Sequence, residues 1–240
     1  MSTPNTARIA EIDATLFTSV DAAAEHILTT RLDGFNNAIA INPEKIVRMR
    51  TDDNLLNVSK AASINYPDGI GVCKVLERRT GQKVARIPGV ELWEQLMRRS
   101  ADLQVPVFIL GGNAATNAKT VERLTRELGV NVAGHRDGFF SSEDHVILAI
   151  KDSGARIVSV AMGSPKQELF IEKCRQAGLT GFFMRVGGSY DVFSGMTKRA
   201  PTTFRNLGLE WLYRLLRQPS RIFRQKNLVI FAALYARGQL

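Results

Sequence analysis

A single carboxylate, Asp68, lies between a proline and a glycine in the stretch NYPDGIG, directly after an apolar run that favours a strand. An aspartate on so constrained a backbone suits two roles. It can form a turn, because aspartate side chains bond to nearby backbone N–H groups. It can also act as a general base that is held in one position. The residue types alone leave both alternatives open.

A second group of chemically capable residues occupies AMGSPKQE, residues 161–168. Gly163 ends a predicted strand, and Gln167 falls in the first turn of a predicted helix. A glutamine side chain both donates and accepts hydrogen bonds, which suits a nucleobase or a sugar hydroxyl. Helix capping explains Ser164 well and Gln167 poorly. We therefore interpret this stretch as part of a ligand site.

A third group lies in VGGSYDVFSGMTKRAP, residues 186–201. Gly187 and Gly188 follow a predicted strand, and Asp191, Lys198 and Arg199 flank a glycine-bearing turn. A solvated loop accounts for Lys198, but less well for the whole run. Cations here are suited to neutralising charge on a phosphate.

The elements that must position these residues are apolar strands alternating with helical patterns. Strands are predicted at 37–42, 61–65, 105–110, 130–134, 155–163 and 181–188, while the first 30 residues show only short helical stretches. Uninterrupted apolar strands alternating with helices favour a mostly parallel α/β sheet covered on both faces.

Each predicted strand ends in polar or glycine-rich sequence, and the carboxyl ends of parallel strands share one edge where ligands bind. Glycines allow a backbone to approach a phosphate, and helix N-termini offer N–H groups to an anion. The sequence therefore predicts a nucleotide or phosphorylated ligand at this edge. The residues at the predicted ends are Asn42, Asp68, Gly111-Gly112, Gly134-His135, Gly163-Ser164 and Gly187-Gly188.

Several cofactor signatures are missing from the sequence. Gly69 and Gly71 lack the third glycine of a dinucleotide fingerprint, and there is neither a P-loop nor a nucleophile elbow. The three histidines have no metal-ligand spacing, and the two cysteines lie far apart. We expect chemistry with no cofactor and no tightly held metal.

Charge is concentrated in the C-terminal part of the chain. Of the net charge of +9, the segment 198–240 supplies +8, because nine basic residues face one acid, Glu210. We therefore divide the chain into a core, residues 1–197, and a basic amphipathic helical appendage, residues 198–240.

Arginines mixed with large apolar residues are typical of a helix that meets anionic lipid headgroups. A nucleic-acid-binding module and a helix packed on the body are the alternatives. No apolar run approaches the roughly 18 residues of a membrane span, and no signal peptide is visible at the start.

Five motifs resemble, in order and spacing, the WecG/TagA/CpsF glycosyltransferases, from about residue 37 to about residue 226. They are NYPDGIG, RIPGVELWEQL, AMGSPKQE, VGGSYDVFSGMTKRAP and LGLEWLYRLLRQPSRIFRQ. The wording VAMGSPKQE and EWLYRLLRQPSR is closest to the WecG branch, which transfers N-acetyl-D-mannosaminuronic acid (ManNAcA) in enterobacterial common antigen synthesis.

The resemblance implies a Rossmann-like core and an inverting transfer from UDP-ManNAcA to undecaprenyl-diphosphate-linked GlcNAc, the lipid I to lipid II step. A neutral UDP-sugar donor is the alternative within the family. The appendage is then expected to associate with the inner face of the bacterial inner membrane, making the enzyme cytoplasmic and peripheral. No nucleic-acid partner is expected, and an oligomer is possible.

The resemblance also assigns roles to residues. Asp68 matches the family's base, and Asn42 carries over from a Thr-x-Asn pattern whose threonine is here Ala40. Gln167 and Arg86 match donor-site residues. Three tail arginines match those that hold the acceptor diphosphate, namely Arg214, Arg221 and Arg224.

We hypothesise that Asp68 is the base, and that Gly112, Gly163, Gly187, Gly188 and Asp191 line the donor site with Gln167. Arg86, Lys198 and Arg199 are expected to neutralise charge on UDP. Arg185 stands where relatives carry glycine. It and Lys166 are candidates for reading a uronate carboxylate. Whether Asp68 acts alone or with His135 or Asp137 stays open at this point.

Overall fold

The computed structural model describes residues 4–206, 210–217 and 222–240. The strands are β1 (Asn5–Ile9), β2 (Ile12–Leu16), β3 (Phe35–Ile41), β4 (Ile64–Pro67), β5 (Val107–Gly111), β6 (Val132–Arg136), β7 (Ile157–Ala161) and β8 (Gly181–Arg185). The helices are α1 (Val20–Thr30), α2 (Pro43–Arg48), α3 (Asp53–Lys60), α4 (Ile70–Thr80), α5 (Gly89–Asp102), α6 (Ala114–Leu128), α7 (Glu143–Asp152), α8 (Lys166–Gln176), α9 (Ser189–Phe193), α10 (Thr202–Asn206), α11 (Glu210–Arg217) and α12 (Ile222–Ala236).

Six strands form one parallel sheet in the order β4-β3-β8-β7-β5-β6. The predicted α/β, Rossmann-like sheet is confirmed. The connection after β5 runs outward to β6, and the connection after β7 runs the opposite way to β8. Such a reversal opens a crevice between the carboxyl ends of β5 and β7.

Helices cover both faces of the sheet, because strand side chains point alternately to the two sides. Phe182 and Met184 of β8 pack with α1, α5, α6 and α9. Phe183 packs on the opposite face with α7 and α8. The hairpin β1–β2 and the helices α2, α3, α4 and α12 complete that second face beside β3.

The first 30 residues fold into an antiparallel hairpin followed by α1. The sequence reading missed this hairpin and predicted only short helical stretches. Its apolar residues are too few for a clear alternating pattern, and Ile9 and Ile12 become buried only against α2, α3 and α4. The tight connection puts Ala10 at a φ of +50°.

Two strands, β4 and β6, end two residues further along the chain than the sequence suggested. β4 extends through Tyr66 to Pro67, because a proline is tolerated at the end of an edge strand. Gly134 and His135 lie inside β6, since pairing with β5 continues as far as Arg136.

The last helix, α12, packs on the body of the protein. Phe231 and Leu234 are buried beside α2 and α4, and a Cβ added to Gly71 would lie 3.1 Å from Phe231 Cε1. Val229 and Ile230 of the same helix are exposed. Among the described residues, no helix combines the length and the hydrophobicity that crossing a membrane requires.

Gly111 shows how closely the ends of β5 and β7 approach. Its φ is +107°, and a Cβ built there would lie 2.3 Å from the carbonyl oxygen of Ala161. We expect Gly111→Ala to lower the free energy of unfolding by about 3 kcal/mol, since neither backbone can yield easily. Chemical denaturation measures this.

The matched control is Gly129→Ala at the end of α6, where φ is +69° but no atom lies within 4 Å of the added Cβ. It should cost only about 1 kcal/mol of left-handed strain. Equal losses in the two variants would contradict the crowding argument.

Candidate functional site

Asn42 and Asp68 stand side by side at the ends of β3 and β4. Asn42 caps α2 by accepting a hydrogen bond from the Lys45 backbone N–H at 2.9 Å. The backbone N–H of Asp68 donates to the carbonyl oxygen of Ile41 at 3.0 Å. A Cβ at Gly69 would lie 2.6 Å from Pro43 Cδ. The strand pairing and this close packing therefore fix the backbone on both sides of the carboxylate.

Arg86 reaches the same corner from the segment between α4 and α5. The next residue, Ile87, donates its backbone N–H to the carbonyl oxygen of Pro67 at 2.8 Å. This bond holds the segment against the end of β4. Arg86, the neighbour of Ile87 in the chain, therefore lies close to the end of β4, which Asp68 follows.

Glycines follow both β5 and β7 at the crevice. Gly112 donates its N–H to Ala161 at 2.9 Å and accepts one from Gly138 at 2.8 Å. Gly163 has a φ of +74° with no atom within 4 Å of an added Cβ, and its carbonyl oxygen accepts from Gln167 N–H. The Gln167 side chain is buried, and its Oε1 has no hydrogen-bond partner among the described residues.

The segment after β8 lies at the middle of the carboxyl edge of the sheet. Gly187 and Gly188 follow β8 after one residue and lead into α9. Asp191 Oδ1 accepts a hydrogen bond from Thr116 Oγ1 in the first turn of α6 at 3.3 Å. The predicted donor residues Gly187, Gly188 and Asp191 thus lie next to the end of β5.

Two predicted donor-site cations converge on one acid from the appendage. Glu210 Oε2 lies 3.5 Å from Arg86 Nη1, and its Oε1 lies 3.9 Å from Arg199 Nε. Arg199 also pairs with Glu91 at 2.6 Å. Lys198 is exposed. No local sequence pattern indicates that Glu210 reaches the arginines predicted to bind the donor.

The predicted acceptor arginines are only partly described. The backbone of Arg214 lies in α11 and that of Arg224 in α12. Their side chains, and all of Arg221, lie outside the described part of the chain. Their role in holding a diphosphate stays a prediction.

A buried charge cluster, Lys45–Glu168–Arg185, lies beneath the edge between α2 and α8. Lys45 Nζ is 4.0 Å from Glu168 Oε1, with the two side chains 15% and 4% exposed. Arg185, at the end of β8, is 5% exposed. The sequence signal for this cluster was the arginine inside the apolar run GFFMRVGG.

Burial dominates the electrostatics of this cluster. It lowers the pKa of Lys45 to about 8, although the nearby Glu168 carboxylate favours the charged ammonium. It also lowers the pKa of Arg185 to about 10, again against Glu168. Burial raises the pKa of Tyr66 strongly, and the negative charge of Asp68 adds to that rise.

His135 and Asp137 lie far from Asp68. β6 and β4 are the two outer strands, five strand spacings apart, or about 24 Å. His135 Nδ1 lies 2.9 Å from Asn117 Oδ1, and Asp137 Oδ1 accepts from the Phe139 N–H. Neither residue can share a reacting atom with Asp68.

Phe139 is an aromatic residue at the crevice that sequence reasoning missed. Its side chain is 78% exposed, while the loop beneath it is bonded to Gly112 through Gly138. In the parts of the chain that the structure describes, no three His, Cys, Asp or Glu side chains come together to hold a metal ion.

The shifted pKa of Lys45 can be measured directly. We expect its ammonium to titrate at about 8 rather than 10.5, and Glu168→Gln to lower the midpoint further by removing the attracting charge. NMR of reductively ¹³C-methylated protein, with Lys45→Arg to assign the signal, measures both.

The shift also affects stability. Between pH 8 and 10.5 the unfolded chain binds more protons at this lysine than the folded one. Lys45 therefore makes the free energy of unfolding rise with pH in that window. A wild-type midpoint near 10.5, or one unchanged by Glu168→Gln, would contradict the cluster as described.

Comparison with known families identifies one match along nearly the whole chain. The model described as the glycosyl transferase WecG/TagA/CpsF family matches residues 8–240. The matched region contains the entire six-stranded sheet and every residue of the candidate site.

Proposed function

The chain belongs to the WecG/TagA/CpsF family of glycosyltransferases, and on that basis we propose that it transfers ManNAcA from UDP-ManNAcA to undecaprenyl-diphosphate-linked GlcNAc with inversion. This is the lipid I to lipid II step of enterobacterial common antigen synthesis. The observation that carries the proposal is the placement of Asp68 beside Asn42, on a backbone fixed by Ile41, at the edge where the parallel strands end.

Asp68 acts as the general base in this proposal. It takes the proton from the acceptor O4 hydroxyl while that oxygen forms a bond to the anomeric carbon. The bond between the anomeric carbon and the phosphate oxygen breaks on the opposite side, and UDP leaves with the electron pair. One carboxylate suffices, because a diphosphate is already a good leaving group that needs charge stabilisation more than an acid.

Arg86, Arg199 and Lys198 supply that stabilisation. The guanidinium groups of Arg86 and Arg199 both lie within 4 Å of the Glu210 carboxylate, so the two cations already converge on one negative charge. A diphosphate carries more negative charge than one carboxylate and competes with Glu210 for the two guanidinium groups. Donor binding is thereby coupled to the position of α11.

The rest of the donor binds along the glycine-rich ends. Gly112, Gly163, Gly187 and Gly188 allow the backbone to approach the nucleotide. The buried Oε1 of Gln167 and the carboxylate of Asp191 accept hydrogen bonds from ribose or sugar hydroxyls. Phe139 offers an exposed face for stacking of the base.

The appendage, residues 198–240, provides the acceptor side. Arg214, Arg221 and Arg224 bind the acceptor diphosphate, for which bidentate guanidinium groups are suited. The exposed Val229 and Ile230 and the excess of basic residues support attachment to anionic lipid. The enzyme then works in the cytoplasm, peripherally on the inner face of the inner membrane.

A transfer assay tests the proposed function. UDP-ManNAcA and UDP-ManNAc are offered separately with a GlcNAc-diphosphate-lipid acceptor. We expect transfer of the uronate. Transfer of only the neutral sugar would move the enzyme to another branch of the family, and transfer of neither would reject both donors.

Asp68→Asn tests the base. It should lower kcat by about 100- to 10,000-fold, because the amide cannot accept the proton, while the Kd for UDP stays unchanged. The control is Asp102→Asn, an exposed aspartate at the end of α5 and at the opposite edge of the sheet. Near-normal turnover of Asp68→Asn would remove Asp68 from the mechanism.

A further inference from the structure

Arg185 lies at the end of a central strand, on the face covered by α2 and α8. Both helices have their N-terminal turns at the carboxyl edge of the sheet, because α2 follows β3 and α8 follows β7. Lys45 and Glu168 lie in those two turns. The two turns therefore lie side by side at the carboxyl edge of the sheet, next to the end of β8 where Arg185 is buried.

The guanidinium of Arg185 is only partly bonded. Nη1 donates to the carbonyl oxygen of Ala38 at 3.4 Å. Nε and Nη2 are buried and have no hydrogen-bond partner among the described residues. These two nitrogens form the edge of the guanidinium that binds a carboxylate with two parallel hydrogen bonds. Leaving such donors buried and unpartnered is costly, which points to a group that occupies them.

The nearest carboxylate does not fill this place. Both oxygens of Glu168 are buried without a hydrogen bond within the described residues, and Glu168 makes its ion-pair contact with Lys45. Glu172, the other acid acting on Arg185, bonds to Arg175 at 2.6 and 2.9 Å. Two buried cations of the cluster, Lys45 and Arg185, therefore share the single carboxylate of Glu168.

We propose that Arg185 determines donor specificity by binding the carboxylate of a uronic acid through its free Nε and Nη2. The inference rests on the proposed function, because it requires a sugar nucleotide at this edge. A second carboxylate balances the two cations of the cluster and satisfies both unpartnered nitrogens. Lys166, the other cation considered from sequence, is exposed and has no such enclosure.

The test compares two donors in variants of Arg185. Arg185→Met keeps the approximate length of the side chain but removes its charge. Arg185→Lys keeps the charge but removes the two parallel N–H donors of the guanidinium group. Both should reduce kcat/KM for UDP-ManNAcA by at least about 100-fold, since a site built for a bidentate contact loses its pair of parallel hydrogen bonds. For UDP-ManNAc the change should stay within about threefold. Arg126→Met, on the exposed surface of α6, is the control and should change neither value.

Isothermal titration with the same two nucleotides keeps the test independent of acceptor chemistry. If the wild type transfers neither sugar, the proposed function fails. The carboxylate site is still supported if the wild type binds UDP-ManNAcA more tightly than UDP-ManNAc and Arg185→Lys loses that preference. Equal losses for both donors, or unchanged discrimination in a folded variant, would overturn the role of Arg185.

Discussion

All six strands of the main sheet run in one direction, so every strand delivers its carboxyl end to the same edge. This constraint brings together residues that lie far apart in the chain, such as Asn42, Asp68 and Gly187. It also places the first turns of α2 and α8 side by side, because each helix begins where a strand has just ended. The site depends on this shared edge more than on any single contact.

The fold could be predicted where apolar runs were long and bounded by glycine. β5, β7 and β8 satisfy that condition, because a strand buried on both faces needs uninterrupted apolar sequence. The hairpin β1–β2 does not satisfy that condition, because its few apolar residues are buried by helices that come later in the chain. The strand order also lay beyond prediction, because local patterns carry no information about which strands pair.

The site could be predicted as far as residues follow strand ends. Asp68, Gly112 and Gln167 were predicted as site residues because they follow predicted strands, and the structure places all three at the carboxyl edge of the sheet. Their roles stay predictions. The pairing of Glu210 with Arg86 was not predicted, because the two residues lie 124 positions apart in sequence. Lys45 and Glu168 each look like ordinary charges at the start of a helix, and only the packing of α2 against α8 shows that they are buried together.

The place of β8 has a consequence for how the chain is assembled. It is the last strand in the sequence, yet it lies between β3 and β7 and joins them. Until it forms, β4–β3 and β7–β5–β6 are separate ribbons with two additional open edges, which are prone to pair with other chains. Phe35 pairs with Gly181, 146 residues later. At ribosomal rates that distance corresponds to roughly 7 to 30 s of synthesis. During this interval the half-made sheet must be kept from joining its neighbours.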